Sequence, residues 1–402
     1  MINKKLMIPE ICKNVEFTVL EDGSTLCIQK DYGFRIKVNL FTSKFLALID
    51  GRTNIENLAK KFNEQEELDV PIEDYIDLLE GILRKSGIVL FGDFYVIRKA
   101  KPKYLKLRIN LISYKYSTYV TRYMKYLFKE KIFWPLFIFV NILAYIIFIL
   151  YAKGIYYELK NVRSLDMIIV FILMGVGLFG HEFGHASACD CFGAKHGNIG
   201  FGFYLFTPVM FADVSDVWRL PKRKRIIVNL AGIFIGNIMS LLFFLVYLYT
   251  SNLIFLYAFS VQCVEGLYNL NPLIKYDGYW IISDLLNFSN MGMESFLQLK
   301  KISIKKICQY NSRQWFLIIY SLASPVFIGI FLVSVLIFNP SSLLLFPKNF
   351  ALFVYHSIVD CTQFDFFTLA NYIPQMIFYY LIFKLGEKWF KKRLLNRGNI
   401  VK

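Results

Sequence analysis

The stretch His181-Glu182-Phe183-Gly184-His185 sits inside an apolar block running from about residue 165 to 190. Residues four apart lie one above the other on a helix, so both imidazoles can reach one metal ion. Glu182 projects about 100° round the helix from His181, beside the ion's open position. H-E-x-x-H at this spacing is the arrangement of zinc peptidases, with the glutamate as general base. Ionisable side chains inside an apolar span are costly and by default functional. Three stand here within five residues, and two of the four histidines in the chain are among them.

The surroundings of that block set the fold class. The 402 residues are 56% hydrophobic and 19% charged, against about 45–50% and about 25% in a soluble domain. The excess lies beyond residue 131, in blocks at about 132–152, 165–190, 226–250, 253–273, 315–338 and 367–386. Each is close to the ~20 residues that cross the hydrocarbon of a bilayer. An ordinary soluble enzyme and a disordered chain are excluded. The expectation is a multi-span α-helical membrane protein with about six transmembrane helices, preceded by a soluble domain. No long internal repeat supports a transporter or channel. Phe201–Ala212, with Pro208 inside it, and Phe350–Phe367, with His356, Asp360 and Asp365, fit no simple span. Both read as re-entrant candidates, since non-helical backbone persists at membrane depth only under protein or beside water.

The net charge is +16. The basic residues crowd beside the apolar blocks, at Lys99–Lys131, Arg219–Arg225, Lys300–Arg313 and Lys384–Lys402, which is the positive-inside pattern. Lys99–Lys131 is also tyrosine-rich and is expected to lie along the inner interface, against membrane lipid. With no basic-then-apolar opening in residues 1–30 and an even span count, both termini are expected in the cytosol. The seven cysteines are odd in number and show no disulfide spacing.

Residues 1–98 read as a small cytosolic α+β domain. Val15, Phe17 and Val19 alternate with polar residues up to the hairpin signal Asp22-Gly23, and Leu26 and Ile28 resume the alternation. Phe34, Ile36 and Val38 make a third strand. A short helix follows over Phe45–Ile49. Thr53 and Glu56 fit a capping box for the next helix, whose Ile55, Leu58, Ala59 and Phe62 share one face. A third helix runs from Pro71 to Gly87, and Ile88–Ile97 closes the domain as a hairpin. This is a winged-helix-like order. Leu40–Leu90 carries six Lys/Arg against ten Asp/Glu, the wrong sign for reading a nucleic acid, so none is expected as a partner. The early hairpin, the Leu48–Thr53 turn and the Leu78–Gly87 helix end resemble the PqqD-like domains of peptide-modification systems. That resemblance implies recognition of a leader peptide by strand addition to a sheet edge. A domain that merely stabilises or regulates the remainder is the plain alternative.

Catalytic zinc needs a third protein ligand and one open position. Cys189 lies four residues beyond His185, but three ligands on one straight helix span about 12 Å, so it reads as packing. Cys191 and His196 lie further out. The other candidate is Asp277 in Asn269-Leu-Asn-Pro272-Leu-Ile-Lys-Tyr-Asp277-Gly278, where Pro272 and Gly278 would break a membrane helix and turn a carboxylate toward a polar cavity.

Taken together, these segments resemble the site-2 protease family of intramembrane zinc metalloproteases, in which H-E-x-x-H is followed by Asn-x-x-Pro…Asp-Gly. The resemblance implies Zn2+ as cofactor, held by His181, His185 and Asp277. It implies Glu182 as general base and Asn269 as an auxiliary catalytic group that steadies the transition state. Tyr276 stands where leucine is common. Pro208–Trp218, Ala231-Gly232 and Tyr268–Leu285 are closer to a subgroup, the peptide zinc metalloproteases found beside bacterial peptide-export and peptide-modification genes. Asp213 and Asp216, in the first of these stretches, line the substrate entry or cap a loop. The organisation expected is 1–98 PqqD-like, 99–131 interfacial linker and 132–402 protease, in the cytoplasmic membrane of a bacterium. The expected activity is zinc endopeptidase cleavage of a small, leader-bearing ribosomal peptide, with export or modification proteins as further partners. The alternatives are regulated cleavage of a membrane-tethered regulator and a non-proteolytic peptide-binding export partner.

Overall fold

The computed structural model describes residues 4–20, 23–92, 106–158, 164–204, 207–288, 290–302, 309–333 and 345–359, with positions 379, 383 and 387. By its internal contacts the chain divides into two units: Met1–Lys103 with Ser215–Arg225, and Tyr104–Val214 with Ile226–Lys402.

The first unit opens with four strands, β1 (Glu10–Ile11), β2 (Val15–Val19), β3 (Thr25–Gln29) and β4 (Phe34–Val38). β2, β3 and β4 form an antiparallel sheet in that order, with Phe17 opposite Cys27 and Cys27 opposite Ile36. Gly23, at φ +74°, takes the left-handed position of the expected hairpin turn. Helices α1 (Leu40–Ala47), α2 (Ile55–Glu66) and α3 (Ile72–Leu78) follow, and β5 (Val89–Leu90) returns to pair with β1. Phe45, Leu46, Ile55, Leu58, Phe62, Tyr75 and Leu79 fill the core, each worth about 1.5–3 kcal/mol of apolar burial. Phe45 and Tyr75 meet with ring centroids 4.7 Å apart.

The cap of α2 is one residue later than the sequence suggests. Asn54, not Thr53, accepts the hydrogen bond from Asn57 N at 2.9 Å. Thr53 is taken by Asp50, whose carboxylate accepts from its backbone N–H and from its hydroxyl, both at 2.8 Å. The strand expected after Gly92 lies outside the described residues. Ser215–Arg219, a single 3-10 turn, belongs to this unit. There Arg219 pairs with Glu16 of β2, Nη2 to Oε2 at 3.0 Å, and with Asp216 at 2.7 Å.

The second unit is mostly helical. It begins with β6 (Lys106–Ile112), α4 (Tyr114–Met124), α5 (Glu130–Glu158) and α6 (Ser164–Cys191). A hairpin of β7 (Ile199–Tyr204) and β8 (Thr207–Ala212) adds to β6, giving an antiparallel sheet in the order β6-β7-β8. Thus the described residues of the first re-entrant candidate, Phe201–Ala212, are extended backbone paired into a sheet. Part of the basic interfacial stretch is a strand, because Leu107, Ile109 and Leu111 alternate with Arg108 and Asn110. The further helices among the described residues are α7 (Lys222–Thr250, in this unit from Ile226 on), α8 (Leu253–Asn269), α9 (Asp277–Leu285), α10 (Met291–Lys300), α11 (Ser312–Val333) and α12 (Phe346–Val359).

Among the described residues, four helices are long and apolar enough to cross a membrane: Glu130–Ala152, Ile168–Cys191, Lys222–Thr250 and Ser312–Ile330. They correspond to four of the six apolar blocks. The block at 253–273 is the 17-residue α8 followed by a turn, and the block at 367–386 lies almost wholly outside the described residues. So do residues 360–367 of the second re-entrant candidate. On α5, Ile138, Phe139, Ile142, Ile146, Ile149 and Leu150 are exposed, as on a helix facing lipid. α7 is the most enclosed of the four. Its Ala231-Gly232 lets α6 approach closely, since a Cβ on Gly184 of α6 would strike the Ala231 carbonyl.

Candidate metal centre

His181 and His185 sit one turn apart on α6 with their Nε2 atoms 3.0 Å from each other. Both are buried, 4% and 7% exposed. α8 ends at Asn269, where Pro272 cannot continue the helix. A short turn follows, and Tyr276 N donates to Ile274 O at 2.8 Å. α9 then starts at Asp277, in the first turn, where a carboxylate suits the helix dipole. The turn delivers Asp277 Oδ2 to 3.0 Å from His181 Nε2 and 3.3 Å from His185 Nε2. His181, His185 and Asp277 form the one His/Cys/Asp/Glu group among the described residues whose ligand atoms converge in this way.

The arrangement fits a tetrahedral zinc ion on three counts. Ligand atoms about 2.0–2.1 Å from zinc at tetrahedral angles lie about 3.3 Å apart, close to the three spacings here. Asp277 Oδ2 is buried with no hydrogen-bond partner, which is costly unless a cation satisfies it. Finally, Gly232 of α7 leaves open the space in front of the imidazoles, where a Cβ would run into both Nε2 atoms. His185 Nδ1 lies 2.7 Å from Val228 O. A carbonyl only accepts, so Nδ1 carries the proton and Nε2 presents its lone pair to the centre.

Glu182 is buried beside the two imidazoles, and its carboxylate accepts a hydrogen bond from the backbone N–H of Ala212 on β8. Asn269 ends α8 with its side-chain amide donating to Glu265 one turn earlier. Asp213 is held by Arg108 at 3.2 Å, and Asp216 by Arg219 in the first unit.

The other ligand candidates lie elsewhere. Cys189 is fully buried and outside the converging group. His196 is engaged by Asp190, Nδ1 to Oδ1 at 2.6 Å, and by Ser117, Nε2 to Oγ at 2.8 Å. Glu265 was missed by the motif reading. Its Oε1 lies 3.7 Å from His181 Nδ1. The signal was available, because it is the one acidic residue in the apolar block at 253–273, where no basic residue is present.

No family model matches the chain, and no solved structure matches it. Among curated proteins the chain is similar to "Putative peptide zinc metalloprotease protein YydH" of Bacillus subtilis (strain 168). The two are 27% identical over 213 residues, covering 50% of this chain and 81% of that protein. The similarity supports a zinc metalloprotease relationship, and it agrees with the donor set on α6 and α9.

Proposed function

We propose that the chain is a membrane-embedded zinc endopeptidase of the site-2 protease type that cuts a small ribosomally made peptide. The observation that carries this reading is the convergence of His181, His185 and Asp277 beside Glu182. A binder or export partner has no need of the fourth group. Zn2+, held by the two imidazoles and the Asp277 carboxylate, would supply Lewis-acid polarisation of the scissile carbonyl and of the attacking water. Glu182 takes the proton from that water and returns it to the departing amine. Ala212 N–H holds the Glu182 carboxylate in place. Asn269, whose amide braces Glu265 with one N–H, has a second N–H to steady the developing oxyanion.

A peptide must be extended for its carbonyl to be attacked. β8 is the outer strand of its sheet among the described residues, and it carries the Ala212 N–H that meets Glu182. Such an edge can pair with extended substrate backbone. The first unit, PqqD-like in this reading, captures the leader in the same way at the edge of its own sheet. The bacterial cytoplasmic membrane, with both termini in the cytosol, is the location that the basic residues beside the apolar blocks support.

The test is co-expression with candidate leader-bearing peptides, followed by mass spectrometry. Wild-type chain should yield a shortened peptide, and Glu182→Gln should leave it intact while retaining zinc. Equal processing by both would defeat the proposal.

A further inference from the structure

The two histidines of the centre are supported differently. His185 Nδ1 has a carbonyl of α7 at 2.7 Å, whereas His181 Nδ1 is buried with no hydrogen-bond partner. If Nε2 of His181 gives its lone pair to an ion, Nδ1 must carry the proton, and that proton needs an acceptor. The carboxylate of Glu265 on α8 faces it, Oε1 at 3.7 Å. Its side chain is 18% exposed. Gln262, Glu265 and Asn269 share one face of α8. Gln262 Nε2 donates to Oε2 of Glu265 at 2.9 Å, and Asn269 Nδ2 donates to Oε1. These two amides hold the carboxylate where it is, although a carboxylate with no cationic partner is costly in an apolar setting.

We propose that Glu265 is the positioning residue of His181. It accepts the hydrogen bond of the Nδ1–H group when the imidazole binds the ion, with the proton staying on Nδ1, and Gln262 and Asn269 clamp it for that task. The inference rests on the metal-centre reading above. A separation of 3.7 Å is beyond hydrogen-bond range. Closing it takes a shift of about 0.8 Å, or one bridging water. Charge balance points the same way. Two neutral imidazoles, Asp277 and Glu265 around a divalent cation carry no net charge, and Glu182 is left outside that balance to gain and lose a proton.

The test uses the full chain in detergent micelles, with wild type, Glu265→Gln and Glu265→Ala. Zinc affinity is read by chelator competition, and ligand geometry by the visible absorption of the cobalt-substituted protein. Loss of such a partner weakens metal binding by about 10–100-fold. Glu265→Ala should show that loss with an altered cobalt spectrum. Glu265→Gln, which keeps the shape and an acceptor oxygen but not the charge, should fall between. If Glu265→Ala does not fold, Glu265→Gln decides alone. Zinc affinity within twofold of wild type in the folded variants, with an unchanged cobalt spectrum, overturns the role of Glu265 and leaves the centre standing. Wild-type protein that binds no zinc at all overturns the centre itself, and this proposal with it.

Discussion

Gly232 of α7 faces His181 of α6 so closely that a methyl group at position 232 would collide with its Nε2, and with that of His185. The absence of a side chain there is therefore part of the centre. We predict that Gly232→Ala abolishes zinc binding in chain that still folds, lowering metal content from about one per chain to near none. Gly329→Ala on α11, where a Cβ meets nothing within 4 Å, is the control and should keep its zinc. Elemental analysis of both variants decides. Full zinc in Gly232→Ala would show that the space is not the ion's.

The competing ligand candidates are separable by the same measurement. His196 holds Asp190 and Ser117 together in a buried network. His196→Ala takes one side-chain partner from each of them, although Asp190 keeps Thr121 and Ser117 keeps the Tyr114 carbonyl, and should destabilise the fold by about 1–3 kcal/mol with zinc content unchanged. Cys189→Ala should likewise keep its zinc. Asp277→Asn should lose most of it. Denaturant unfolding and metal analysis of the three proteins test the assignment, and zinc loss in Cys189→Ala would reopen it.

Acid sensitivity of the first unit follows from two depressed carboxyls. Hydrogen bonds from Arg219 and then Lys30 hold Glu16 at about 2, below its usual 4.5. The backbone N–H groups of Thr53 and Arg52 hold Asp50 at about 2, below its usual 3.8. A folded-state value below the unfolded one means the contribution is complete above the unfolded value and is lost as pH falls through the folded value. The predicted loss of stability therefore runs from about pH 4.5 down to about pH 2. Glu16→Gln should make the first unit less stable at neutral pH and flatten that slope. A thermal unfolding series with and without the substitution is the check, and superimposable curves would rule it out.

The sequence carried the local part of this centre and little of its surroundings. The spacing of His181 and His185 settles their common face, and Pro272 before Asp277-Gly278 marks where α8 has to stop. These are short-range consequences of helix geometry. Gly232 is different, because its role depends on how near α7 comes to α6, and no residue beside it in the chain reports that distance. Strand β6 was hidden by its setting in a lysine- and tyrosine-rich stretch, which suits a membrane interface equally well. It pairs with β7, more than 80 positions further on. At Thr53 and Asn54 two good capping residues stand side by side, and the Asp50 carboxylate occupies the first and leaves the cap to the second.

Ala212 offers the sharpest test of the proposed base. Its backbone N–H bonds the Glu182 carboxylate, and it ends β8, the outer strand of its sheet among the described residues. Edge positions tolerate proline when the N–H points away from the ladder. Ala212→Pro thus deletes one donor while leaving every side chain of the centre in place. A hydrogen bond to a charged group is worth about 1.5–3 kcal/mol, so cleavage should slow by about tenfold or more. Zinc content should stay at the wild-type level, since none of the three ligands is touched. Single-turnover cleavage rates measured beside metal content separate the outcomes: a lower rate at full zinc supports Ala212 as the holder of Glu182. An unchanged rate would mean that Glu182 is held by something else. Lost zinc would mean that the strand, and not one donor, keeps the centre together.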